Sequence, residues 1–272
     1  MSWLPAPDPA ATCLVTGASS GIGAAISREL AARGHGVTLL ARREDRLRSL
    51  AQELAATHGV RAEALRCDLA DPGDRAGLPA RLEALDLRVD VLVNNAGLGT
   101  SGRFAELDAG GEVAQVRVMC EAVVDLCSAF APSMTARHSG AVLVVSSMSA
   151  LQPMPNMTTY AATKAFSLSF GEGLHAELRS AGVAVTMLCP GPVATEFFAT
   201  NGPNPVERAI PRSLWQEPTA VARAAIDGLA KNRRVVMHSP AMRVAMAARH
   251  LAPRGALLRV LDRYFRVSAP SP

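Results

Sequence analysis

The sequence predicts a doubly wound α/β domain, a mostly parallel sheet with helices on both faces. Three observations carry that prediction. Short apolar runs alternate with amphipathic helical stretches through most of the 272 residues, the order that builds parallel sheets with helical crossovers. A chain of this length can bury one large core. The first strand runs directly into a glycine-rich junction, and no run approaches the ~20 apolar residues of a membrane-spanning helix.

Each element follows from period and punctuation. "ATCLVTG" from Ala11 is a short apolar strand ending in glycine, and "GIGAAISRELAAR" then reads as an amphipathic helix. "GVTLLAR" is the second strand, followed by a charged helix from Glu44 to about His58. "VRAEALRCDL" alternates as a third strand, and a Pro/Gly turn with a short helix leads to the fourth, "RVDVLVNNAG". One long helix is expected over about Gly111–Met134, then the buried strand "GAVLVVSS". "TTYAATKAFSLSFGEGLHAELRS" is helical, "GVAVTMLCPG" a strand, and Pro192–Gln216 an irregular stretch rich in Pro and Asn. A helix from about Pro218 to Ala230 and a last strand, "RRVVMHS", complete the body. The expected organisation is an N-terminal arm (1–10), one doubly wound domain (11–240) with an irregular loop at about 192–216, and a C-terminal extension (241–272).

Composition narrows the function classes. With 49% hydrophobic and 19% charged residues, the chain reads as globular rather than disordered. Its N-terminus has neither a basic start nor a continuous apolar stretch, so no secretory signal is expected. The five cysteines (Cys13, Cys67, Cys120, Cys127 and Cys189) are scattered and form no CxxC pair. That favours reduced core thiols in a cytoplasmic protein over disulfides or a metal site.

The charge is uneven. Residues 231–266 carry nine Lys/Arg against Asp262 alone, a net +8, which leaves −4 for the rest of a chain whose total is +4. From Arg254 to Val267, Leu257, Leu258, Val260, Leu261, Tyr264 and Phe265 recur at helical spacing, with Arg259, Arg263 and Arg266 on another face. Such a helix could make peripheral contact with an anionic membrane, bind a partner, or pack on its own body or a sister subunit. No recognition motif accompanies the charge, so nucleic-acid binding is not expected.

The glycine-rich junction is "TGASSGIG", with Gly17, Ser19, Ser20, Gly21, Ile22 and Gly23 between the first strand and first helix. Glycine lets a phosphate approach the main chain, and the helix N-terminus offers free N–H groups and its positive dipole end. A tight turn would also want glycine, but this position in a Rossmann-type alternation is the one a dinucleotide site requires. The second strand ends in "ARRED", so Ala41, Arg42 and Arg43 stand where a carboxylate would bind a ribose diol. Arginines there either solvate a loop or chelate a 2′-phosphate; position favours the phosphate, with Arg42 the preferred ligand, and hence NADP(H) over NAD.

In "YAATK", Tyr160 and Lys164 lie four residues apart and share a helix face. An ammonium beside a phenol favours the phenolate, lowering a tyrosine pKa from its usual ~10 and suiting it to acid–base work. The chain has only two lysines, Lys164 and Lys231, and two tyrosines, Tyr160 and Tyr264. An arginine-rich chain that spends one lysine beside one tyrosine points away from an ordinary surface pair.

"TGASSGIG", "CDL" (67–69), "NNAG" (94–97), "VSS" (145–147), "YAATK" (160–164) and "PGPVAT" (190–195) stand in the order found in the short-chain dehydrogenase/reductase family. The resemblance runs from about Ala11 to Ala230. It implies that Tyr160 exchanges the substrate proton, Lys164 holds the nicotinamide ribose, and Ser147 hydrogen-bonds the substrate carbonyl. It further implies that Asn94, Ala96 and Gly97 line the cofactor groove and that Asp68 and Leu69 flank the adenine. Pro190, Gly191, Val193 and Thr195 would shape the nicotinamide end. The reaction implied is hydride transfer with a small-molecule carbonyl or alcohol, in a homodimer or homotetramer.

One position departs from that pattern. The family's fourth catalytic residue is an asparagine on the helix before the serine strand, and Met119 stands at the equivalent place in "VRVMCEA". A thioether donates no hydrogen bond. The alternative function is therefore a cofactor-binding sensor or scaffold with weak or no catalysis. In the substrate loop Phe197, Phe198, Leu214 and Trp215, with Leu151, Met154 and Met157, suggest either an apolar substrate pocket or simple lid packing.

Overall fold

The computed structural model of the chain describes residues 2–197, 210–239 and 254–264. Its strands are β1 (Ala11–Thr16), β2 (Val37–Ala41), β3 (Ala62–Arg66), β4 (Arg88–Asn94), β5 (Gly140–Val145), β6 (Val183–Leu188) and β7 (Val235–Val236). Between and after them lie α1 (Gly21–Ala32), α2 (Glu44–His58), α3 (Pro72–Ala76), α4 (Leu78–Glu83), α5 (Ala109–Val116), α6 (Ala122–Ala136), α7 (Thr158–Leu178), α8 (Pro218–Ala230) and α9 (Arg254–Tyr264). The strands form one parallel sheet in the order β3-β2-β1-β4-β5-β6-β7. The chain winds outward from β1 to β3, then returns to place β4 beside β1. That reversal opens a crevice beyond the C-terminal ends of β1 and β4, where doubly wound sheets bind ligands.

Side chains alternate along the strands and feed two cores. Leu14, Leu40 and Leu92 pack with α4, α6 and α7, while Cys13, Val15, Leu39, Val91 and Val93 pack with α1, α2 and α8. Full burial of each such leucine contributes about 2 kcal/mol. Strands buried on both faces read as continuous apolar runs, which explains their sequences.

Three elements differ from expectation. The long helix begins at Ala109, where Asp108 caps it by accepting from Gly111 N at 2.7 Å, and it is interrupted by a π-helical turn over Arg117–Glu121. Ala122 N–H reaches back five residues to Arg117 O, and α6 then continues to Ala136. The short helix after β3 is two helices meeting at Gly77, because Pro79 has no N–H to extend α3 and instead opens α4. In α9, Leu261 is buried but Leu258 and Val260 are exposed, which splits the expected apolar stripe. Residues 241–253 and 265–272 of the extension lie outside the described residues. All five cysteines are free. No helix among the described residues is long and apolar enough to cross a membrane.

Candidate active site

The cleft at the β1/β4 switch has a volume of about 760 Å³ and runs from the end of β2 to the start of α7. Its floor is the turn between β1 and α1. Gly17 sits at φ +65°, a left-handed conformation that favours glycine. A Cβ on Gly23 would stand 2.4 Å from Gly17 O, so Gly23 lies behind the turn as a packing requirement, off the cleft wall. Ser20 makes no side-chain cap on α1, leaving the helix N-terminus facing the cleft. The end of β4 braces the turn. Asn95 Nδ2 donates to Thr16 O at 2.8 Å, while Thr16 Oγ1 accepts from Asn95 N at 2.9 Å and Ala96 N at 3.0 Å. Asn94, expected in the groove, instead turns into the core and donates to Cys127 Sγ at 3.4 Å; its neighbour Asn95 lines the cleft.

At the β2 tip both Arg42 and Arg43 line the cleft mouth. Arg43 is tied down: its Nη2 donates to Ser19 Oγ at 3.0 Å and Ser20 Oγ at 2.9 Å, and its Nη1 reaches Glu196 at 3.3 Å. Asp68 and Leu69 form the wall beyond β3. Arg75, whose side chain is only 2% exposed, donates to Leu69 O at 2.7 Å and pairs with Glu121 and Asp125, fixing that wall to α6.

Ser147, Tyr160 and Lys164 converge at the other end. Ser146 turns away and donates to Lys164 O at 2.8 Å, while Ser147 caps a helical turn over Met148–Leu151 and hydrogen-bonds the Tyr160 hydroxyl. Lys164 Nζ lies 5.7 Å from the centre of the phenol ring and donates to Val145 O at 2.8 Å. Burial pushes the Tyr160 phenol above the ordinary tyrosine value, opposed by the Ser147 hydrogen bond. This reverses the direction expected from an ammonium four residues away. The physical reason is that both groups are buried and desolvation dominates; it also pulls Lys164 down to about 8.

Met119 is 1% exposed and sits in the π-helical turn. Its Sδ lies 4.0 Å from Thr163 Oγ1 and 3.3 Å from where a Cβ on Gly97 would stand. Its carbonyl oxygen accepts from Ser167 Oγ at 3.0 Å. Beside it, burial pushes the Cys120 thiol up to about 11, so it is a thiol near neutral pH.

Pro190, Gly191, Val193 and Thr195 also line the cleft, and Thr195 packs against Gly21 of the glycine-rich turn. The space beyond Tyr160 is apolar, lined by Leu151, Met154, Met157 and Phe197 together with Leu98, Val118 and Ile210. Phe197 lies 5.7 Å from the Tyr160 ring, tilted by 49°. Trp215 is not on this wall. Its Nε1 donates to Ile210 O at 3.2 Å and its ring faces the Arg212 guanidinium, so it fastens the loop to itself. Leu214 is exposed, and Phe198 lies outside the described residues. Asn95, Leu98, Val118, Ile210 and Glu196 escaped the sequence reading. Only Glu196 carried a signal, as the acid that directly follows Thr195 in a chain with arginines at the β2 tip.

Known proteins resemble this chain in sequence and in fold. The family model described as short chain dehydrogenase matches residues 11–205. A short chain dehydrogenase of Pseudocercospora fijiensis is 40% identical over 192 residues, 69% of this chain and 61% of that protein. A very-long-chain 3-oxoacyl-CoA reductase of Anas platyrhynchos is 34% identical over 206 residues, 73% of this chain and 64% of that protein. The chain thus spans somewhat over three fifths of the length of these two relatives. Among solved structures, a short-chain dehydrogenase from Sphingobium yanoikuyae in complex with NADPH is 34% identical, covering 96% of this chain and 98% of that one, with a TM-score of 0.78.

Proposed function

The chain belongs to the short-chain dehydrogenase/reductase family, and on that premise we propose that it is an NADP(H)-dependent oxidoreductase acting on a bulky, apolar carbonyl compound or the corresponding alcohol. One observation carries the reading: Ser147, Tyr160 and Lys164 meet at one end of a cleft whose other end holds the glycine-rich turn and two arginines. The residues present fit the dinucleotide. Gly17 leaves the turn open to a pyrophosphate, the α1 N-terminus offers N–H donors, and Arg42 and Arg43 suit a 2′-phosphate. When bound, the cofactor supplies or accepts the hydride at the carbonyl carbon. The chain's own part is proton handling and orientation. Ser147 Oγ and the Tyr160 hydroxyl present two donors to a carbonyl oxygen where negative charge develops. Burial keeps the phenol protonated near neutral pH, which suits it as an acid and favours reduction there. Lys164, whose Nζ lies 5.7 Å from the centre of the phenol ring, would hold the nicotinamide ribose. Exposed Val113 and Val116 on α5 and Phe166 on α7 support a homo-oligomer as part of the same proposal.

A second reading, a dinucleotide-binding sensor or scaffold with weak catalysis, rests on Met119, where sulfur replaces the amide that the family resemblance calls for. Titration of NADPH and NADH, with initial rates on a panel of bulky apolar and small polar ketones, separates the two. The enzyme reading predicts NADPH binding about tenfold or more tighter than NADH and turnover confined to the bulky ketones. Tight NADPH binding without turnover of any carbonyl would favour the sensor.

A further inference from the structure

The cleft wall at Asp68 and Leu69 is held from behind by α3. Asp74 Oδ2 accepts from Asp68 N at 2.8 Å, and Asp68 Oδ1 in turn accepts from Ala70 N at 3.0 Å. The next residue of α3 is Arg75, and each of its guanidinium nitrogens has its own acceptor. Nη1 donates to Leu69 O at 2.7 Å, Nε to Asp125 Oδ2 at 2.6 Å, and Nη2 to Glu121 Oε1. Glu121 closes the π-helical turn that carries Met119, and Asp125 follows it in α6. One side chain, 2% exposed, thereby ties the main chain of a cleft-lining residue to the π-helical turn and to α6.

Stability alone is a poor reason for this arrangement. Burying a guanidinium is costly, and an apolar side chain of similar volume commonly serves stability as well. The two carboxylate partners are 45% and 47% exposed, so water solvates them with or without the arginine. What the planar fork supplies is geometry, holding three acceptors at fixed angles. We propose that Arg75 is a positioning residue for the cofactor: it sets the Leu69 main chain so that the wall beyond β3 is shaped for the adenine before the adenine binds. The proposal rests on the cleft being a dinucleotide site with its adenine end at Asp68 and Leu69. Arg75 does not itself line the cleft, so it acts through Leu69. A wall fixed in advance spares the ligand the cost of ordering it. The glycine-rich turn, Arg42 and Arg43 lie on other segments, which confines the effect to the adenosine half.

Arg75→Met, Arg75→Lys and Asp125→Asn test the assignment by titration with NADPH, NADH, AMP and 2′,5′-ADP, by thermal unfolding, and by initial rates with NADPH and a bulky ketone. Arg75→Met should weaken every nucleotide by about tenfold, the loss expected of one charge-assisted hydrogen bond, and leave the ratio of NADPH to NADH affinity unchanged. KM for NADPH should rise by the same factor, while kcat stays within about twofold of wild type. Lysine keeps the charge but cannot hold three acceptors at once, so Arg75→Lys should recover part of the affinity. Asp125→Asn, at a half-exposed position, should weaken the nucleotides by about two- to threefold. An arginine that served stability alone would lower Tm without this split between nucleotide affinity and kcat. Unchanged nucleotide affinities in folded Arg75→Met would overturn the assignment. So would a fall in kcat with those affinities intact, or weaker NADPH binding with AMP unaffected. If Arg75→Met does not fold, Asp125→Asn decides, and unchanged AMP and 2′,5′-ADP affinities there overturn the assignment. A wild-type protein that binds none of these nucleotides would bring down the dinucleotide reading itself, and the role of Arg75 with it.

Discussion

Replacing Lys164 with methionine should make the protein more stable near neutral pH even as it removes a group from the site. The lysine side chain is buried, and desolvation pulls its pKa from 10.5 down to about 8. A drop of that size corresponds to about 3 kcal/mol against the charged form. Methionine keeps the apolar volume but abandons the 2.8 Å hydrogen bond to Val145 O, which costs about 1 kcal/mol. The net gain is about 2 kcal/mol, or about 4 °C in Tm for a chain of this size. The pH dependence follows from the direction of the shift. Because the folded pKa lies below the unfolded value, the wild type carries the whole penalty below about pH 8 and sheds it as pH rises towards 10.5. The variant's advantage should therefore be largest near neutral pH and fade across that window. Thermal unfolding followed by circular dichroism over the same range measures it. A lower Tm for the variant near neutral pH, or a gap that does not change with pH, would refute the reasoning that burial dominates at Lys164.

Other substitutions probe separate parts of the cleft. Arg42→Ala should narrow the preference for NADPH over NADH, read as the ratio of dissociation constants; an unchanged ratio removes Arg42 from the phosphate site. Gly23→Ala would place a Cβ 2.4 Å from Gly17 O, so it should cost about 2 kcal/mol or more in denaturant unfolding and abolish dinucleotide binding. Met119→Asn buries an amide in a site that is 1% exposed, which should lower stability by about 2 kcal/mol in the same assay. If the amide serves the proton path, rate and pH profile should also change; an unchanged profile means the path runs elsewhere.

Much of the architecture could be read from sequence because parallel strands buried on both faces announce themselves as apolar runs. β1, β2, β4, β5 and β6 lie within the stretches expected, and β7 contracts to Val235–Val236 at the sheet edge. The π-helical turn was not legible, since widening one helical turn leaves apolar content unchanged and merely shifts the facing side chains. Period-two alternation says that Asn94 and Asn95 point apart, yet the side that meets the cleft depends on how β4 enters the sheet. The "YAATK" spacing placed Tyr160 and Lys164 together, but burial set the direction of the phenol's shift, and burial belongs to the assembled fold. The scarcity of aromatics points Trp215 to the pocket, but its indole N–H finds Ile210 O instead.

The central claim is that Tyr160 transfers the proton in an NADP(H)-dependent carbonyl reduction, and Tyr160→Phe tests it most directly. The phenyl ring keeps the contact with Phe197 and loses only the hydroxyl that meets Ser147. Turnover of a bulky ketone with NADPH should fall by about two to four orders of magnitude, while NADPH affinity, measured in parallel, stays within a few-fold of wild type. Equal turnover in the two proteins would contradict the account.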